Sequence, residues 1–115
     1  MINNQVEYIL CSAIWYKEIP LKKEIDLNRS PINIDKGVVF CGHRHPHCIQ
    51  QLNAVTGLRG VTNGENSVGE YVQGFLTSKN RFVDRIEAAF ISFLAGQIDR
   101  GRFNTIKELH SEDLW

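Results

Sequence analysis

The chain alternates between short apolar runs and longer polar connections, a pattern that predicts a small α+β domain. Val6 to Tyr16 (VEYILCSAIWY) is rich in β-branched and aromatic residues and predicts a buried strand. Val38 to Phe40 and the segment YVQGFLT, residues 71–77, predict two further strands. Between the first two lies a polar insert, residues 17–36, which contains two prolines and is expected to form a loop or weak hairpin.

Two segments carry helical periodicity. Pro46 suits the first turn of a helix, since that position has no hydrogen bond to lose, and His45 then falls at the N-cap. Gly57 is expected to end this helix. Its predicted apolar stripe comprises Cys48, Ile49, Leu52 and Val55.

The second helix is the clearest in the chain. Asp84 and Glu87 fit a capping pattern at the N-cap and N3 positions, and Gly96 is the expected stop. The apolar face is predicted to comprise Ile86, Ala89, Phe90, Phe93 and Leu94. The order strand, strand, helix, strand, helix predicts an antiparallel sheet with about two helices packed on one face.

Length and composition narrow the class of protein. With 115 residues, 43% of them hydrophobic, the chain is expected to form one domain over residues 1–115. Thirteen basic residues balance thirteen acidic ones, which argues against binding nucleic acid by bulk charge. Three unpaired cysteines, the lack of a signal-peptide pattern and the lack of a long apolar run predict a soluble intracellular protein with free thiols.

The stretch GHRHPHC, residues 42–48, contains three histidines and one arginine, and three interpretations are possible. The histidines could ligate a metal, but Pro46 interrupts their alternation and no second ligand cluster exists. They could act as acids or bases, but no nucleophile motif accompanies them. A helix N-terminus beside Arg44 instead favours binding an anion such as phosphate. The plainest alternative is that these are ordinary surface side chains.

A second basic junction lies downstream in QGFLTSKNRFVDR. Lys79, Arg81 and Arg85 surround another strand–turn–helix transition, and Phe75 and Phe82 could stack a base. Either ring could equally belong to the core, and Asp84 could serve only as an N-cap. Two junctions of this kind predict a pocket for a flat, phosphorylated ligand such as a nucleotide.

The pattern SAIWY…GHRH…QGFLTSKNRFVDRIEAA…AGQI…LHSEDLW resembles a family of phage proteins, the Thoeris anti-defence sponges of the first type. The resemblance runs from Val6 to Trp115 outside the insert, which is a departure from the family pattern. It implies a non-enzymatic protein that binds a glycocyclic ADP-ribose immune signal without cleaving it, in the cytoplasm of an infected bacterium. It also implies a homo-oligomer built from dimers, with pockets between subunits and, in some members, separate sites for cyclic oligonucleotides.

The resemblance also implies roles for individual residues. Arg44 would contact a phosphate with His43 and His45 beside it, and Phe75 would stack on adenine. Polar contacts to the ribose, phosphate or base edge would come from Thr77, Arg81, Asp84 and Arg85, with Gln97 as a weaker candidate. No cofactor, metal, nucleic acid or membrane partner is expected. Two other functions stay open: a small phosphoester or nucleotide hydrolase using His43, His45 and His47, and a protein-interaction module.

Overall fold

Four antiparallel strands form the sheet on which the molecule is built. The computed structural model describes residues 6–19 and 31–115, so residues 20–30 of the predicted insert lie outside the described residues. The strands are β1 (Ile9–Tyr16), β2 (Val38–Gly42), β3 (Tyr71–Thr77) and β4 (Phe82–Asp84), in the spatial order β2-β1-β3-β4. The three predicted strands are confirmed. The pattern missed β4, because it has three residues and runs directly into a helix.

Helices closely follow β2 and β4, after two residues in the first case and directly in the second. They are α1 (His45–Thr56), α2 (Arg85–Leu94) and the short α3 (Arg100–Thr105), and a 3-10 turn covers Ser111–Asp113. Gly57 ends α1 in the left-handed conformation, with φ of 72°, as predicted. Asp84 caps α2, and its carboxylate accepts a hydrogen bond from the backbone N–H of Glu87, also as predicted.

Both long helices pack on the same face of the sheet, which confirms the predicted architecture. Strand residues alternate between faces, and pairing of Ser12 with Phe75 and of Ile14 with Gln73 places these four side chains on one face. On the α1 side, the buried cluster comprises Ile14, Tyr16, Cys48, Leu52 and Val68. On the α2 side, it comprises Ile9, Phe75, Val83, Ala88, Ala89, Ile91, Ile98 and Leu109.

The predicted helix faces need three corrections. The N-cap of α1 is Arg44, one residue before the predicted His45. Val55 is 72% exposed, because α1 reaches beyond the sheet at that end. In α2 the buried residues are Ala88, Ala89, Ile91 and Ser92, whereas the predicted Ile86, Phe90 and Leu94 are exposed.

The α2 error has a simple physical reason. The helix is apolar around most of its circumference, so periodicity alone does not select a face, and the direct β4–α2 junction sets its rotation. Part of the outward face is covered by α3, since Phe103 stacks on Phe93 at 4.5 Å and meets Phe90 edge to face at 5.2 Å between ring centroids. None of the helices within the described residues combines the length and apolarity that crossing a bilayer requires.

Candidate functional site

The N-termini of α1 and α2 meet over the middle of the sheet. Strand pairing aligns Cys41 with Ala13, Ala13 with Gly74, and Gly74 with Asp84 in one row across all four strands. Since α1 begins just after β2 and α2 begins directly after β4, both helices start along this one line. The two basic junctions that are far apart in the sequence therefore form a single region.

Gly74 allows β4 to lie close against β3. A Cβ atom on Gly74 would lie 2.0 Å from the carbonyl oxygen of Val83 and 2.9 Å from the ring of Phe82, distances that no side chain tolerates. The glycine carbonyl faces the helices, where it bonds with the Nε2 of His45 at 2.8 Å. Any substitution at Gly74 would push β4, and with it the start of α2, away from β3.

His45 is buried and holds Arg85 in place. The carbonyl of Gly74 can only accept, so Nε2 carries the proton, and Nδ1 accepts from a guanidinium nitrogen of Arg85 at 3.5 Å. Burial lowers the pKa of His45; the hydrogen bond to Gly74 opposes this shift, and the charge of Arg85 adds to it. The ring is therefore neutral at pH 7 and acts as a fixed acceptor.

Arg85 keeps its positive charge without an acidic partner among the described residues. Its second hydrogen bond goes to the neutral side-chain oxygen of Gln73 at 2.6 Å, and its buried Nε has no hydrogen-bond partner. A buried N–H without an acceptor costs free energy unless a further group satisfies it. This guanidinium is thus oriented by two neutral groups, and no carboxylate among the described residues forms an ion pair with it.

A cleft of about 410 Å³ opens at Arg85. That volume lies in the range of small-molecule sites, roughly 300–1,000 Å³. The cleft combines one guanidinium, one aromatic ring, two carboxylates and an amide. Its lining residues are Tyr71, Val72, Gln73, Asp84, Arg85, Ile86 and Glu108.

The start of α1 is also basic and aromatic. The first turn of α1 contains no acidic residue. The Arg44 guanidinium donates to the carbonyl of Trp115, and the His43 ring lies 5.3 Å from the Trp115 ring. His47 stacks on His43 at 6.2 Å and accepts a hydrogen bond from the backbone N–H of Arg44.

Residues 109–115 connect the two helix starts. The backbone N–H of Leu109 donates to the carbonyl of Arg85 at the start of α2. At the start of α1, Trp115 receives the hydrogen bond from Arg44. A hydrogen bond from Ser111 lowers the pKa of the exposed Glu112, and the charges of His110 and Arg44 contribute. This tail therefore closes one side of the junction.

Thr77 and Arg81 lie in a different cluster from Arg85. The Arg81 guanidinium makes two hydrogen bonds to Glu7, both at 2.9 Å, and a third to Glu87 at 3.0 Å. Thr77 is fully buried and donates to the same Glu7 carboxylate. The hydrogen bond from Arg81 lowers the pKa of Glu7. Two carboxylates already occupy this arginine, so its predicted contact with a ligand has no support in the geometry.

Phe75 and Gln97 have structural roles. The Phe75 ring has no exposed surface and meets the His45 ring edge to face at 5.2 Å, so it offers no face for stacking adenine. The Gln97 amide exchanges two hydrogen bonds with the backbone of Ile9. Asp84 is the α2 N-cap and also lines the cleft.

The three imidazoles of GHRHPHC do not converge on one point. His45 points into the sheet toward Gly74, whereas His43 and His47 are exposed and stack outside. Within the part of the chain that the structure describes, no group of three or more histidine, cysteine or acidic side chains is placed to hold a metal ion.

Sequence reasoning missed five of the seven cleft residues, among them Tyr71, Gln73 and Glu108, and the role of the tail. Tyr71, Gln73 and Phe75 are spaced two residues apart along β3, so their side chains lie on the same face of the sheet. That periodicity could have identified them. Glu108 carries no comparable signal, because only the tail's return to α2 brings it there.

One comparison with known proteins gives a match. The family model described as the phage T4 y16D protein matches residues 8–115, nearly the whole chain. No curated protein and no solved structure matches the chain.

Proposed function

This chain belongs to the phage T4 y16D protein family, and from that premise we propose that it is a phage anti-defence protein that sequesters a cyclic nucleotide signal. The proposed ligand is a glycocyclic ADP-ribose or a related cyclic nucleotide, held without cleavage. A phage family is compatible with such a role. The choice of a cyclic nucleotide as the ligand rests on the motifs that resemble the Thoeris sponges. In this proposal, the protein binds the signal in the infected cell, and none of its residues acts as a catalyst.

The observation that carries this proposal is the state of Arg85. Two neutral side chains orient its guanidinium, its Nε has no hydrogen-bond partner, and it borders a cleft of about 410 Å³ at a helix start. A phosphate oxygen in the cleft would accept a charge-assisted hydrogen bond from this partly exposed arginine. The macrodipole at the start of α2 adds to this attraction.

The other cleft residues suit the remaining parts of a nucleotide. Tyr71 offers an aromatic ring for a base, in place of the buried Phe75. The carboxylates of Asp84 and Glu108 would repel a second phosphate but can accept hydrogen bonds from ribose hydroxyls. Arg44 and the exposed His43 at the neighbouring helix start could hold a further phosphate.

Capture without turnover fits the local chemistry better than hydrolysis. His45, the one histidine that contacts Arg85, is committed through both ring nitrogens. A general base needs a nitrogen that can accept a proton from a substrate or water. The hydrolase stays the second function to be tested, with His43 and His47 as its candidate groups.

Isothermal titration calorimetry against a panel of ligands tests the proposal. The panel contains the glycocyclic ADP-ribose isomers, cyclic ADP-ribose, NAD and cyclic dinucleotides. Capture requires a Kd near the nanomolar range, about −12 kcal/mol. The bound ligand is then released by heating and identified by chromatography.

Stoichiometric binding and recovery of the intact ligand would support a sponge. A product that accumulates beyond the protein concentration would establish the hydrolase instead. Absence of binding to every member of the panel would reject cyclic-nucleotide capture. Arg59→Gln, at an exposed position outside the cleft, is the matched control for arginine substitutions at the site.

A further inference from the structure

Cys11 and Cys41 lie side by side on the sheet face that points away from α1 and α2. Cys41 in β2 pairs with Ala13 in β1, and Cys11 lies two residues before Ala13 on the same strand. Side chains two residues apart on a strand share a face, so the two thiols are diagonal neighbours across the β1–β2 pair. Both side chains are half-buried and thus within reach of a small solute.

The two thiols influence each other's ionisation, as their positions on the sheet lead us to expect. The interaction with Cys41 lowers the pKa of Cys11 against the effect of burial, and the same interaction raises the pKa of Cys41. Cys11 is therefore the better nucleophile and Cys41 holds the proton.

Cys11 lies at an irregular position of β1. The pairing of β1 with β3 shifts register between Ile9 and Cys11, and a bulge increases the local twist of its strand. Diagonal neighbours in a regular ladder are about 7–8 Å apart between Cα atoms. A disulfide requires no more than about 7 Å, so bond formation needs a shift of about 1 Å at an irregular position.

We propose that Cys11 and Cys41 form a redox-active dithiol site that closes to an intramolecular disulfide when a peroxide is the oxidant. The Cys11 thiolate attacks one peroxide oxygen, the O–O bond breaks, and the departing hydroxide takes up a proton to become water. The sulfur of Cys41 then attacks the Cys11 sulfenic acid, the S–O bond breaks and the S–S bond forms. The Cys41 proton leaves in a second water, so two thiols supply the two electrons that reduce one peroxide.

This bond would form close to the start of α1. Cys41 directly precedes Gly42 in β2, and the hydroxyl of Ser12 in β1 donates to the carbonyl of His43 at 3.2 Å. The disulfide would tie β1 to β2 next to that contact. The site does not depend on which ligand the cleft binds.

Cys48 provides an internal control. It is fully buried on the opposite face of the sheet, where its sulfur contacts the carbonyls of Ser12 and Arg44. Burial raises the pKa of Cys48 to about 12, so its thiol is unreactive at neutral pH.

To test this proposal, the full chain is treated at low protein concentration with equimolar hydrogen peroxide. The intact mass is then measured, and the thiols that can be alkylated after denaturation are counted. We expect a loss of about 2 Da that dithiothreitol reverses, with a single remaining thiol. Cys48→Ser should behave in the same way with no remaining thiol. Cys11→Ser and Cys41→Ser should show no loss, and their circular dichroism is recorded to confirm folding.

Three outcomes would overturn the proposal. One is a mass gain at Cys11 from sulfinic acid, which would mean that Cys41 does not resolve the sulfenic acid. Another is a disulfide between two chains, seen as a dimer on a non-reducing gel. The last is retention of all three thiols. If the serine variants unfold, peptide mapping of the oxidised wild-type chain identifies the linked pair.

Discussion

Arg81 and Arg85 flank the three-residue strand β4, yet their surroundings differ sharply. Arg81 contacts the carboxylates of Glu7 and Glu87, so its charge is compensated within the protein. The Arg85 guanidinium instead forms hydrogen bonds with the neutral side chains of Gln73 and His45, and its Nε is unpaired. An arginine held by neutral partners is oriented but not neutralised, which is the state expected of the ligand-binding side chain that we propose.

The two arginine clusters lie at opposite ends of the β3–β4 pair, and we expect them to serve different functions. The Arg81 cluster attaches the segment that precedes β1 to the sheet, because Glu7 accepts from both Thr77 and Arg81. The Arg85 cluster forms the wall of the cleft. Substitutions should therefore affect stability at one end and ligand affinity at the other.

The largest expected effect comes from removing the floor beneath the Arg85 cluster. Phe75→Ala should lower the free energy of unfolding by about 3–5 kcal/mol, because it leaves a cavity under His45 in the core. Urea denaturation measures the loss. A variant of unchanged stability that no longer binds ligand would instead return Phe75 to the predicted stacking role.

Arg85→Gln is the most direct test of the comparison. We expect cyclic-nucleotide affinity to fall about 10- to 100-fold, since a charge-assisted bond contributes about 1.5–3 kcal/mol. The melting temperature should change little. Calorimetry of this variant beside Arg59→Gln separates the site from general loss of positive charge; equal affinities for the two variants would contradict the assignment.

Arg81→Gln should show the reverse behaviour, with stability reduced by about 1–2 kcal/mol and ligand affinity retained. The pKa of Glu7 is lowered in the folded protein, so its contribution is present above the unfolded value of 4.5. That contribution is lost as pH falls through the lowered folded pKa. Denaturation between pH 7 and 3 should therefore show a shallower acid dependence for Arg81→Gln than for the wild type. Parallel curves would mean that the ion pair contributes nothing.

The smallest effect concerns His45. Its folded pKa lies below the unfolded value of 6.5, so protonation favours the unfolded state and stability declines as pH falls below 6.5. His45→Gln should weaken this dependence by less than about 1 kcal/mol. Since protonated Nδ1 would repel Arg85, ligand affinity of the wild type should also decline over this range. Chemical denaturation and calorimetry at pH 7 and 5.5 measure both changes.

Local signals explain what the sequence could predict. The Asp84 cap, the Gly57 stop and the strand over residues 71–77 depend on neighbouring residues, so pattern and cap chemistry identified them. Both basic junctions were also recognisable as helix starts beside arginines. Their meeting over Gly74 depends on strand order, which periodicity does not specify.

Distant partners explain what was missed. Glu7 lies 74 positions from Arg81, so composition could not show which arginine is compensated. From the sequence alone, Phe75 could be a core residue or a ring that stacks on a base, and only the strand pairing shows which face of the sheet it occupies. The exposed Phe90 and buried Ala88 of α2 follow from helix rotation, which is set by the junction with β4.

The central ladder of the sheet has a consequence for how the protein reaches its native state. β1 pairs along its length with β3, Ile9 with Thr77 and Tyr16 with Tyr71, so residues distant in the chain must find each other. Closing such long loops is entropically costly, and chains rich in distant contacts fold slowly, in milliseconds to seconds rather than microseconds. We expect stopped-flow refolding to show ligand-binding competence only after this ladder forms, since His45 and Arg85 meet across Gly74 of β3.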